Sequence, residues 1–224
     1  VCRHCPVVPV YQGRFRAVPA DIVLADIDQQ VAQGAEHISF GDPDFLNGPG
    51  HAMRIIKAMH SKHPALSWDA VIKIEHLLKH ADLLHELKQS GCILITTAVE
   101  SVDEHTLLQL DKGHSAADFK RVVTIMRDAG IALAPTFVPF TPWTTLDNYR
   151  ELIDAMVELE LIQSISPVQL SLRLLIPEGS RLLELPREST CITSHKPASL
   201  GYEWTHPDPA VDALQQNIHD FVAT

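Results

Sequence analysis

The stretch LKQSGCILIT (87–96) holds the junction on which the fold turns: an amphipathic tail, a glycine, and an apolar run that begins at once. The same order recurs in VAQGAEHISF (31–40) and MRDAGIALAP (126–135). Glycine readily takes the left-handed conformation that closes a helix, so each junction reads as helix, C-cap, strand. Upstream of the third junction, Ser115 can cap a helix with Asp118 three residues on. Phe119, Val122, Val123 and Met126 then recur at helical spacing until Gly130 ends the run.

Working outward, strands are expected near 36–40, 69–76, 92–99, 131–138 and 166–175. Helices are expected near 20–33, 49–61, 80–90, 104–129 (broken at Gly113) and 145–160. Strands alternating with helices imply right-handed βαβ units and a parallel sheet, either doubly wound or closed into a barrel. The strands themselves favour curling. Lys73 and Glu75 alternate with Ile72 and Ile74; Gln169, Ser171 and Arg173 alternate with Leu170, Leu172 and Leu174; Thr96 and Glu100 share one parity. A sheet covered on both faces should be continuously apolar, whereas one polar enclosed face suits a partial barrel with a wide polar lumen. The prolines of 178–224 imply irregular chain before a last helix near 208–222. The expected organisation is a core over 1–185 with a C-terminal segment, 186–224, packed on it.

The chain has 224 residues, 46% of them hydrophobic, enough for a medium-sized core. Its apolar runs reach about half of the roughly 20 residues that span a bilayer, so no membrane partner is expected. A net charge of -10 without basic runs argues against a nucleic-acid surface and favours small or peptidic partners. Four cysteines and the absence of an apolar leader point to a reducing cytoplasm.

Cys2-Arg3-His4-Cys5, followed by Pro6, is the most informative local motif. Two thiols at this spacing can share a metal centre or a disulfide, which leaves iron-sulfur, zinc and thiol-redox chemistry open. Zinc needs two further ligands, and Cys92 and Cys191 read as a core residue and a loop residue. A thioredoxin-like site needs a helix directly after the motif, but Pro6, Pro9 and Gly13 follow instead. A chain that opens on Val1, so close to this motif, is expected to continue upstream.

The order CRHCPVVPVYQGRF, a helix, a strand ending in Gly41-Asp42-Pro43-Asp44-Phe45, and then repeated βα units resembles the radical S-adenosylmethionine (SAM) superfamily. IPEGS (176–180) after the last expected strand fits as well. The resemblance implies an α/β fold of the partial (β/α)6 barrel type. It also implies a CxxxCxxC loop whose three thiolates hold a 4Fe-4S cluster. Cys2 and Cys5 match the second and third cysteines; the first would lie four positions before Cys2, so an N-terminally incomplete domain lacking its first strand is expected. His4 stands where the family usually carries an aromatic residue.

By resemblance, Gly41, Asp42, Pro43 and Asp44 receive the cofactor's ammonium group. Glu75 and Glu100 stand where the family holds the cofactor's carboxylate and ribose hydroxyls: Glu100 with Ser101 is the ribose candidate, and Glu75, next to His76, serves either cofactor or substrate. Val138, in TFVPFTPWTT, lies near the adenine, and Arg173 meets a carboxylate of cofactor or substrate. Each has a plainer alternative: an Asp-Pro turn, loop-edge charge, packing, or an arginine snorkelling from a barrel mouth. The wording of 2–15 and 136–145 looks most like the subgroup named for a short tail bearing cysteine or selenocysteine. The implied activity is reductive cleavage of SAM to a 5'-deoxyadenosyl radical that takes hydrogen from a small-molecule or peptide substrate. A reductant such as flavodoxin or ferredoxin is implied too, and with two of three thiolates these residues alone are expected to be inactive. The competing reading is a catalytically silent αβ-barrel binding domain with a zinc or redox CxxC.

Overall fold

A computed structural model describes residues 2–5, 14, 16–196 and 201–223. The elements run α1 (Ala20–Ala32), β1 (His37–Phe40), α2 (Pro49–Lys62), β2 (Ser67–Val71), α3 (Ile74–Lys79), α4 (Leu84–Gln89), β3 (Cys92–Glu100), α5 (Glu104–Leu110), α6 (Ala116–Ala129) and β4 (Ala132–Phe137). Then follow α7 (Leu146–Glu158), β5 (Ile176–Pro177), α8 (Arg187–Thr190), β6 (Ile192–Lys196), β7 (Gly201–Trp204) and α9 (Pro209–Val222). The chain divides into two compact units: a sheet unit of Phe15–Ala98 and Ala117–Pro135, and a mixed unit of Val1–Arg14, Val99–Ala116 and Thr136–Thr224.

In the sheet unit, β1, β2, β3 and β4 stand side by side in sequence order, and the first three pair in parallel. Gly34, Gly91 and Gly130, the three junction glycines, all have positive φ. The α/β reading and its helix–glycine–strand joints are therefore borne out. One face of β2 carries Trp68 and Ala70, both sealed from solvent. Phe40 and Phe45 meet the Trp68 ring at centroid distances of 5.6 and 5.5 Å, and its Nε1 donates to Ser90 O at 2.8 Å. That bond lets the indole be buried whole without an unpaired donor. The other parity of β1 and β2 is polar: Asp69 Oδ2 accepts from His37 Nε2 at 2.7 Å and from Ser39 Oγ at 2.6 Å. On the surface Asp28 of α1 pairs with Lys62 and His63 at the end of α2, and the Lys62 hydrogen bond foremost holds its carboxyl below the usual range.

Three expectations are corrected. The strand near 69–76 stops at Val71, and Lys73 is the N-cap of α3, so Ile72–Glu75 is not an alternating strand. The Asp44 carboxylate accepts from Lys73 N at 3.3 Å and fixes the turn there. The strand near 166–175 is a 3-10 turn, Pro167–Ser171, with only a parallel bridge between Phe140 and Arg173. Pro167 starts that turn, the Gln169 side chain accepts from Phe137 N at 3.0 Å, and Ser171 Oγ donates to Val168 O. Such side-chain bonds compete with a ladder. Segment 178–224 is not merely irregular before its helix, because β5, β7 and β6 form an antiparallel sheet in that order. Gly201 lets β7 close on β5: a Cβ there would overlap Ile176 O.

The mixed unit buries Leu110, Leu174, Ile176, Leu182 and Trp204 together, with Val138 and Trp143 packed against them. Helix α9 lies on the 3-10 turn, where Gln215 Nε2 donates to Ser171 O at 2.9 Å. Among the described residues, no helix is long and apolar enough to cross a membrane.

Gly91 has φ +93, and a Cβ on it would stand 2.5 Å from Leu66 O, while a Cβ on Gly50 in α2 meets nothing within 4 Å. Gly91→Ala is therefore expected to cost about 2 kcal/mol or more, and Gly50→Ala to be neutral or stabilising by up to about 1 kcal/mol. Urea unfolding midpoints of the two variants check this contrast.

Candidate cluster and cofactor site

The CxxC turn belongs to the mixed unit, and both of its thiols are free and half-buried. Helix α5 spans seven residues, and Asp111 N and Lys112 N close its end on Leu108 O and Leu107 O at 3.1 and 3.2 Å. Arg3 adds donors to its last three carbonyls. Its backbone N donates to Leu110 O at 2.9 Å, and its guanidinium donates to Leu108 O and Gln109 O at 3.0 and 2.9 Å. Ser180 Oγ donates to Arg3 O at 3.0 Å. The turn is thus tied to a helix end on one side and to a distant loop on the other.

Between the two cysteines, His4 Nε2 donates to Glu100 Oε1 at 3.1 Å. Lys112 Nζ reaches the same oxygen at 3.2 Å. Glu100 ends β3 with φ +68, a left-handed conformation rare for a non-glycine residue. Its backbone O accepts from Val138 N at 2.9 Å, so Glu100 and Val138 are brought together as neighbours. Burial works to raise the Glu100 carboxyl, but the His4 hydrogen bond and the Lys112 charge outweigh it and hold the group below the ordinary carboxylate range. A folded-state value lower than the unfolded one adds stability above the usual carboxylate range, and that stability fades as pH falls through the lowered value.

Ser101 Oγ accepts from Asp103 N at 3.0 Å, and Asp103 caps α5 by accepting from Thr106 N at 2.7 Å. Ser101 is thereby part of the turn leading from β3 into α5. Arg173 is spoken for inside its own unit: Nη1 lies 2.6 Å from Asp212 Oδ1, Nη2 donates to Trp204 O, and the guanidinium carbon sits 3.9 Å over the Trp204 ring. The carboxylate it meets belongs to this chain.

In the sheet unit, Gly41, Asp42 and Pro43 are exposed and Asp44 is buried. A Cβ on Gly41 would meet no atom within 4 Å, so nothing in the fold demands glycine there. Asp42 and Asp44 line a cleft of about 120 Å³ with Phe40, Phe45 and His51. Asp44 Oδ2 lies 2.7 Å from His76 Nδ1 and 3.5 Å from Lys73 Nζ, with neither atom of the His76 contact in hydrogen-bond alignment. Glu75 is exposed in the first turn of α3 rather than at a strand end, a consequence of the early stop of β2.

Sequence reading singled out Glu100 and His4 but not Lys112, and it missed the pairing of all three. A lysine between Asp111 and Gly113 looks like any solvated turn residue; only the fold shows its side chain to be 6% exposed. Among the described residues no three His, Cys, Asp or Glu side chains gather as a metal-ion set. The thiol pair nevertheless suits a cluster edge: two soft donors on one tethered turn, beside a buried His4 Nδ1 that lacks a hydrogen-bond partner among the described residues.

The family model of the Radical SAM superfamily matches residues 1–159. The chain belongs to this superfamily. It is 24% identical over 183 residues to the tRNA-2-methylthio-N(6)-dimethylallyladenosine synthase of Fusobacterium nucleatum subsp. nucleatum, covering 73% of this chain and 39% of that protein. The synthase of Haemophilus influenzae (strain PittEE) is 20% identical over 176 residues, covering 74% of this chain and 37% of that protein. The radical SAM chain thus spans less than two fifths of these curated relatives. Among solved structures, the cobalamin-dependent S-adenosylmethionine radical enzyme OxsB, with aqua-cobalamin and S-adenosylmethionine bound, superposes with a TM-score of 0.77 at 14% identity. That match covers 93% of this chain and 37% of that one. The radical S-adenosylmethionine methyltransferase TsrM from Kitasatospora setae gives 0.58 at 21% identity, over 71% of this chain and 30% of that one. At these identities the likeness is one of fold, and it agrees with the partial-barrel class expected from the sequence.

Three outcomes test this arrangement. Burial pushes the Cys92 thiol up to about 12, so iodoacetamide at pH 8 should modify Cys2 and Cys5 in the native chain and Cys92 only in denaturant. Lys112→Met strands the buried Glu100 carboxylate and is expected to cost about 3 kcal/mol at neutral pH, read as a lower urea midpoint. In Glu100→Gln the acid limb of the stability–pH curve should flatten, because no carboxylate is left to protonate there.

Proposed function

We propose that in this domain Cys2, Cys5 and a third thiolate from outside these 224 residues hold a 4Fe-4S cluster that opens S-adenosylmethionine to radical chemistry. The family match over residues 1–159, with both cysteines inside it, carries the reading. Held by Cys2, Cys5 and the third thiolate, the cluster would supply one-electron reductive cleavage of S-adenosylmethionine, with its electron drawn from a flavodoxin- or ferredoxin-like reductant, and so the radical chemistry that would take hydrogen from a substrate.

The chain's own residues bind and orient. Backbone carbonyls at Gly41–Asp44 receive the cofactor's ammonium group, and exposed Asp42 adds negative charge beside them. Glu100 spends Oε1 on His4 and Lys112, which leaves Oε2 to accept a ribose hydroxyl, with Ser101 next to it. Backbone at Val138 lies along the adenine, and Glu75 offers a further acceptor in the turn that Asp44 organises. Arg173 is left out of this assignment because Asp212 and the Trp204 ring already match its charge. The substrate is taken as a small polar molecule or peptide, in keeping with the net charge of -10. The names of the curated relatives support a nucleoside within tRNA as the alternative. The subgroup with a cysteine or selenocysteine tail remains a resemblance of wording at 2–15 and 136–145.

The test is anaerobic reconstitution with iron and sulfide, applied to this chain and to a form extended N-terminally to supply the third cysteine. The extended form should take up about four irons and make 5'-deoxyadenosine from S-adenosylmethionine under dithionite, and lose both in Cys2→Ala and Cys5→Ala. The 224 residues alone should do neither. An extended form without iron and without 5'-deoxyadenosine hands the motif to the zinc or redox reading.

A further inference from the structure

We infer that His4, Glu100 and Lys112 form a buried brace that sets the position of the Cys2–Cys5 turn, so that the two thiols stand ready before any metal arrives. This makes them positioning residues, and it rests on reading Cys2 and Cys5 as cluster ligands. The three groups meet at a single atom: Glu100 Oε1 lies 3.1 Å from His4 Nε2 and 3.2 Å from Lys112 Nζ. Their side chains are 15%, 9% and 6% exposed for His4, Glu100 and Lys112. A carboxylate at that depth is stable only with its partners in place, so the His4 contact resists breaking in a way that a surface pair would not.

The backbone of Glu100 points the same way. Its left-handed φ of +68 is strain that glycine would relieve, but glycine would remove the carboxylate. Holding this residue in that conformation sends its side chain to the CxxC turn while its carbonyl accepts from Val138 N at 2.9 Å. One residue therefore joins the CxxC turn, the loop after α5 and the chain leaving β4. Arg3 and Ser180 anchor the middle of the turn through its backbone, and the brace anchors the ring that directly precedes Cys5. A phenylalanine at position 4 would fill a similar volume and make no hydrogen bond, so the imidazole is what the brace requires. A ligand turn fixed in this way has less freedom to lose when metal binds.

The experiment reads the chain without metal. Alkylation of Cys2 and Cys5 by iodoacetamide is followed by mass spectrometry relative to Cys191, with Cys92 as the sentinel for unfolding. His4→Phe and Glu100→Ala should speed both thiols about tenfold while Cys92 stays silent, because a turn freed of its brace opens more often. Glu100→Gln, which keeps an oxygen for His4, should restore a rate within about twofold of the parent. Should Glu100→Ala expose Cys92, His4→Phe decides alone, since it leaves Glu100 and Lys112 paired. Unchanged rates in His4→Phe overturn the brace. The iron content of the extended form separates the two ideas. Cluster loading with unchanged alkylation sinks the brace and spares the proposed function. Faster alkylation without iron uptake sinks the proposed function, and the brace's role toward a cluster falls with it.

Discussion

A carboxylate sealed from water at the end of a strand, on a residue whose backbone is left-handed, is costly twice over, and the mixed unit is organised around making Glu100 tolerable. Lys112 and His4 share its Oε1, and Val138 N bonds to its carbonyl. Each of those partners is in turn held by something else. The CxxC turn that carries His4 is bound to the C-terminal carbonyls of α5 through Arg3, and α5 begins at the Asp103 cap two residues after Ser101. Position is thus passed from the strand end to the CxxC turn through a chain of bonds between 2.7 and 3.2 Å long.

The sheet unit repeats the device with other residues. Asp44 is buried where the chain leaves β1, and it too is flanked by a lysine and a histidine, Lys73 and His76, at the start of α3. In both units a carboxylate near a strand end fixes a turn that lies far away in sequence. The apolar side of this arrangement is Trp68 with Phe40 and Phe45, which fills the space behind β1 and β2 and leaves the polar parity of those strands to His37, Ser39 and Asp69.

What the sequence disclosed was local. Gly34, Gly91 and Gly130 announce the helix–strand joints because a left-handed cap and an apolar run lie within a few residues of each other. The strand once expected over 69–76 fails at Ile72–Glu75 because four alternating residues fit the entry to a helix as well as a strand. The arbiter, Asp44, lies 29 residues away from Lys73. Gln169 shows the same limit: its side chain, matched to Phe137 N across 32 positions, turns an alternating segment into a 3-10 turn. The antiparallel pairing of Ile176 with Tyr202 was hidden behind the prolines of the C-terminal segment. Order along the chain singles out Cys2, Cys5 and Glu100 as candidates, whereas the 96-residue reach from His4 to Glu100 and the burial of Lys112 exist only after folding.

The sheet unit contains a single tryptophan, Trp68, enclosed with two phenylalanines and donating to a backbone carbonyl. The other two sit in the mixed unit, where Trp143 donates to Ser189 Oγ and Trp204 lies beneath the Arg173 guanidinium. The indoles therefore differ in surroundings as well as in unit. A dry aromatic cage gives blue emission, and a ring pressed against a cation reports the loss of that contact as a change in intensity. Intrinsic fluorescence therefore draws on both units, without any label.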